Sequence, residues 1–67
     1  MEENWTCIYT SGRTYEVEIL KGVLEENEIN CVIINKKDSA YLFGEAELYV
    51  RMEDVVAAKN IISKIKL

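Results

Sequence analysis

Between Thr14 and Asn27, apolar residues recur with a helical period, and runs rich in β-branched and aromatic residues flank this stretch on both sides. The run before it is WTCIYT, Trp5 to Thr10. The run after it is INCVIIN, Ile29 to Asn35. A helix joining two strands of one sheet makes a right-handed crossover, which leaves a gap between them. A third run, AELYV from Ala46 to Val50, can fill that gap antiparallel to both neighbours. It puts Leu48 and Val50 on one face and Glu47, Tyr49 and Arg51 on the other. A second helix follows from about Glu53 to Lys66, with Val55, Ala58, Ile61, Ile62 and Ile65 on one stripe. The order βαββα predicts an α+β, two-layer ferredoxin-like sandwich that lacks the fourth strand. Its three-stranded antiparallel sheet carries two helices on one face. Strand one becomes an exposed edge.

Within the first helix, Val17, Leu20, Val23 and Leu24 share the core side, and Glu16 and Glu18 suit the positive end of the dipole. Thr14 is placed to cap the first turn and Asn27 to end the helix in a left-handed conformation. Gly22 costs about 1 kcal/mol relative to alanine in a helix interior. Close backbone packing on a neighbour is one reason to accept that.

Composition bounds the chemistry. The 67 residues make one small domain, 1–67, with no proline and no linker. A chain this short hides only roughly 60% of its unfolded surface, but with half its residues apolar it can build a core. There is no histidine, so the commonest metal ligand and general base are missing. Ser11, Ser39 and Ser63 have no histidine to activate them. The pairs Glu25–Glu26 and Glu53–Asp54 sit at helix ends as solvated charges. The expectation is no enzyme, no catalytic or metal-ligating residue and no cofactor. A net charge of −4 argues against nucleic acid. No apolar run approaches the roughly 20 residues that span a bilayer, and MEENW lacks the pattern of a signal peptide. The expected setting is the cytoplasm, with reduced thiols. Cys7 and Cys31 fall on strands one and two, about 9–10 Å apart across strand three. That is too far for a disulfide, so they read as two small buried hydrophobes.

Two features remain for function. The segment KKDSAYLFG joins strands two and three and is longer than a usual hairpin loop. It holds Lys36, Lys37, Asp38, Ser39, Tyr41, Phe43 and Gly44. Either it receives an anion or a partner, or Tyr41, Leu42 and Phe43 plug one end of the core while the lysines stay in water. The second feature is surplus apolar surface. In strand one both halves of the alternation are apolar or neutral, Trp5, Cys7 and Tyr9 against Thr6, Ile8 and Thr10. Strand two repeats this, yet two helices cover one face of a sheet. Tyr15 and Ile19 lie beside the helical core stripe. Trp5, Ile8, Tyr15 and Ile19 are therefore candidates for an interface with a protein partner or a second copy.

The string ILKGVLEENEINCVIINKKDSAYLFGEAELYV, followed by DVVAAKNII, resembles the putative prokaryotic signal-transducing protein family, in its Bacteroidetes-type version. The resemblance runs from Trp5 to Ile62. It implies a ferredoxin-like α+β domain, often compared with the nitrogen-regulatory GlnB-like fold, and a role in signalling. It brings no catalytic residue, and the long effector-binding loop of true nitrogen-regulatory proteins has no counterpart here. Glu28 stands where the family usually has glycine, which implies a less sharply turned helix exit. The expectation is a small non-enzymatic regulatory or interaction module that self-associates as a homodimer or meets a protein partner. The alternative is a small-molecule sensor taking an anion or nucleotide at the Lys36–Gly44 loop.

Overall fold

The structure, a computed structural model, describes residues 4–36 and 45–65. β1 (Trp5–Ser11) leads into α1 (Thr14–Glu26), β2 (Cys31–Lys36) and β3 (Glu45–Arg51). A 3-10 turn at Met52–Asp54 then opens α2 (Val55–Ser63). The sheet order is β1-β3-β2, and β3 is antiparallel to both neighbours. This is the expected βαββα sandwich. α2 is shorter than the apolar stripe suggests, because Ile65 continues the stripe beyond the last helical residue.

β3 sets the core. Ala46, Leu48 and Val50 alternate inward and are fully buried. Val17, Leu20 and Leu24 of α1 and Ala58 of α2 meet them there, with Ile29 and Cys31 beside them. Val55, Ile61, Ile62 and Ile65 pack around this centre, as the helical stripe predicts. Both helices therefore lie on the same face, α1 leaning toward β2 and α2 toward β1. The result is a slab of 34 × 29 × 15 Å, two layers thick.

β1 departs from simple alternation. Its register with β3 shifts between Cys7 and Tyr9: Cys7 pairs with Tyr49, and Tyr9 pairs with Leu48. The extra residue, Ile8, makes a β-bulge, which bends the strand and lets two successive side chains turn the same way. Ile8 and Tyr9 accordingly both pack against the core. Trp5 and Cys7 stay opposite Arg51 and Tyr49, on the other face.

Both ends of α1 differ from expectation. The helix starts one residue earlier than a cap at Thr14 would set it. Arg13 is the extended N-cap residue and no side chain caps the turn. Thr14 is already helical. Glu16 does a different job, tying the end of β1 to the helix. Its Oε1 accepts the Ser11 hydroxyl at 2.8 Å and the Tyr9 hydroxyl at 3.5 Å, and its Oε2 meets Arg13 at 3.6 Å. At the other end Asn27 is not left-handed (φ −97°); Glu28 is, at φ 63°. The Ile29 N–H donates to the Leu24 carbonyl and the Glu28 N–H to the Glu25 carbonyl, both at 3.0 Å. That pattern is a Schellman motif, and it needs its left-handed residue after the cap. Asn27 is held at the cap by its own side chain, whose amide donates to the Val23 carbonyl at 2.8 Å. The exit is thus fully turned despite lacking glycine. Gly22 has no close neighbour either: a Cβ there would meet no described atom within 4 Å.

Candidate functional site

The register places a defined set of side chains on the face away from the helices. β3 presents Glu45, Glu47, Tyr49 and Arg51, opposite in phase to its buried Ala46, Leu48 and Val50. Pairing then assigns the neighbours. Cys7, Tyr49 and Val32 form the central row across the sheet. Thr10, Glu47 and Ile34 form the row on one side, and Trp5 pairs with Arg51 on the other. Val32 and Cys7 are exposed, and Trp5, Ile34 and Tyr49 are half-buried. Among the described residues no element covers this face.

Its polar groups are ordered. The Arg51 guanidinium lies over the Trp5 ring, 5.6 Å from its centroid, a cation–π geometry. Its Nη1 also reaches the Glu53 carboxylate at 4.0 Å. The Tyr49 hydroxyl donates to Glu47 Oε1 at 3.0 Å. That bond to a carboxylate, with smaller contributions from burial and from the Glu47 charge, holds the phenol above its ordinary titration range. Asn4, Trp5, Arg51, Met52 and Glu53 line a shallow concavity of about 510 Å³ at this end of the sheet. Beside it the Met52 N–H donates to the Asn4 carbonyl at 2.7 Å.

The sequence candidates scatter over this structure. Trp5 is on the open face. Ile8 packs against the core, because the bulge turns it inward. Tyr15 and Ile19 are exposed on α1, at 57% and 47%. Of the loop candidates, Lys36 ends β2 opposite Glu45. Lys37, Asp38, Ser39, Tyr41, Phe43 and Gly44 lie outside the described residues. The cysteines are free, on the two outer strands. Cys31 is buried as expected, and its burial, with the nearby Glu25 charge adding, pushes the thiol above its ordinary range. Cys7 is exposed, since its side of β1 faces no helix. Among the described residues no cluster of carboxylates and thiols could hold a metal ion, and no helix is long and apolar enough to cross a membrane. The apolar surplus of β2 resolves here into Val32 and Ile34, and Tyr49 of β3 is the residue of this surface that no sequence candidate named. The signal lay in the alternation of β3: its outward half carries a tyrosine between charges, where a solvated face needs none.

A comparison with family models matches residues 5–66 to the family described as putative prokaryotic signal transducing protein. The chain belongs to that family. No curated protein and no solved structure matches it. For this family member, a signalling role is carried by the family description, and the α+β fold by the structure itself.

Proposed function

We propose that the chain is a small non-enzymatic regulatory module that works by protein contact, with the open sheet face as its contact surface. The observation that carries this is the central row Cys7–Tyr49–Val32, flanked by Trp5 and Ile34, on a face opposite both helices. Antiparallel sheets tolerate water on one face when that face is polar. Here an aromatic and aliphatic strip runs through it, the composition found at interface centres. A cytoplasmic setting suits the exposed Cys7, which stays reduced there.

The test is a pair of binding measurements. Amide shifts are followed by NMR during titration with a panel of nucleotides and anionic metabolites. Partner capture from the source cell is then compared between the wild type and Tyr49→Lys, with retained fold checked by circular dichroism. The proposal expects no shift around 36–44 and capture that Tyr49→Lys removes. Saturable shifts confined to 36–44 would overturn it in favour of a small-ligand sensor built on Lys36, Lys37 and the loop that follows.

A further inference from the structure

We propose that the occupant of the open sheet face is a second copy of this chain, packed sheet on sheet about a two-fold axis that crosses the strands at Tyr49. This deepens the contact-surface reading and rests on it.

The argument comes from charge order along β3. Glu45, Glu47, Tyr49 and Arg51 point to the same side, acidic at one end and basic at the other. Glu47 and Arg51 stand two residues either side of Tyr49, about 7 Å each way along a strand. Two copies facing each other can be related by a two-fold axis lying between the sheets in either of two directions. An axis along the strands sets β3 parallel to its mate, with Arg51 over Arg51 and Glu47 over Glu47. An axis across the strands sets them antiparallel, with Arg51 of each copy over Glu47 of the other. The first arrangement repels twice and the second attracts twice. The face is therefore complementary to itself in one orientation only, as an isologous interface requires.

The apolar residues obey the same symmetry. The axis runs through the row Cys7–Tyr49–Val32. Each of these residues then meets its own counterpart, and the apolar strip closes on an apolar strip. Packed sheets sit about 10 Å apart, a gap that side chains from both faces fill. Arg51 is prepared for its role. Its guanidinium lies over the Trp5 ring and carries five N–H donors, more than its contact with Glu53 uses. Glu47 already accepts the Tyr49 hydroxyl, and a carboxylate accepts several donors together.

The experiment is a charge exchange read by sedimentation velocity over a dilution series. The wild type is expected to be dimeric at micromolar concentration. Arg51→Glu and Glu47→Arg should each weaken the dimer at least tenfold, since each places like charges together twice. Mixing the two variants should restore a dimer, because every cross-copy pair is then opposite in sign. The double exchange in one chain should restore it as well. Circular dichroism checks the fold of each variant. A second measurement needs no charge variant: a short thiol–thiol cross-linker should join two chains through Cys7, and Cys7→Ser should abolish the product. A wild-type monomer at every concentration overturns the self-pairing. If Tyr49→Lys still removes partner capture in that case, the contact-surface reading survives with a different occupant. A dimer indifferent to both charge changes, and to mixing, overturns the orientation proposed here. If capture is also indifferent to Tyr49→Lys, the contact-surface reading falls with it.

Discussion

The two faces of one strand differ in what their side chains do. On the helix side of β3, Ala46, Leu48 and Val50 are at most 1% exposed, and each fits against α1 or α2. On the other side, Glu45, Glu47 and Tyr49 are half-buried and Arg51 is exposed, held by hydrogen bonds and stacking rather than by packing. The same backbone and the same pleat serve both. Burial makes the helix face responsible for stability. Its absence leaves the open face a small part in stability.

That contrast can be broken most directly by truncation. Leu48→Ala removes a buried leucine and leaves a cavity, which typically costs about 2–5 kcal/mol. A core in a domain this small rarely supplies more than about 3–5 kcal/mol in all, so the variant should be largely unfolded. Tyr49→Ala, one residue along, should cost about 1 kcal/mol or less, the scale of a cross-strand pair. Urea denaturation at concentrations too dilute for self-association checks both, since a dimer would add its own stability. Equal losses from the two truncations would mean that the open face is a second core.

The helix face was legible in the sequence because its residues are unambiguous. Val17, Leu20 and Leu24 fall on a helical stripe, Leu48 and Val50 alternate with charges, and one crossover rule then orders the strands. β1 was not legible in the same way. In WTCIYT both phases are apolar or neutral, so no pattern marks the inward side. The bulge at Ile8 is set by pairing with β3, far away in sequence, and a one-residue offset moves every later side chain to the other face. Ile8 consequently packs against the core instead of standing with the candidate interface residues, and Cys7 is exposed. The left-handed position slipped from Asn27 to Glu28 for a similar reason: hydrogen bonds at the helix exit choose it, and asparagine's preference alone does not.

A smaller effect tests whether the outside of α1 carries any packing. Gly22 is exposed, and an added Cβ meets no described atom within 4 Å. Gly22→Ala should therefore gain helix propensity, raising stability by about 1 kcal/mol. A loss in the same denaturation experiment would reveal a close neighbour on that side.

Smaller again is the change at Glu28. A left-handed conformation is unfavourable for a residue with a Cβ, whereas glycine adopts it freely but loses more entropy on folding. The difference for Glu28→Gly should be a stabilisation of about 0.5 kcal/mol. Because Ile29 follows directly into the core, a destabilised variant would mean that the Glu28 side chain helps seat it.

The last effect is absent at neutral pH and belongs to Cys31, the thiol on the helix face. Cys7 is exposed on the open face and should react first with a thiol reagent, while Cys31 waits for opening of the helix face. Burial, with Glu25 adding, raises the Cys31 thiol above its ordinary value of 9.0. Below that value the thiol is protonated in both folded and unfolded chains, and its contribution to stability is complete. As the pH rises past it, the unfolded chain releases the proton while the folded chain keeps it. The unfolded state then binds fewer protons, so stability falls with pH. The fall continues until the pH passes the raised folded value, where both forms are ionised. The Tyr49 phenol, also raised by its bond to Glu47, adds a decline of the same sign beginning higher, above 10.0. Urea midpoints of the wild type and Cys31→Ala, compared from pH 8 upward, isolate the thiol because the other titrating groups are common to both. The wild type should lose midpoint more steeply above its ordinary thiol value, and parallel curves would show that Cys31 ionises as readily in the folded core as in the unfolded chain.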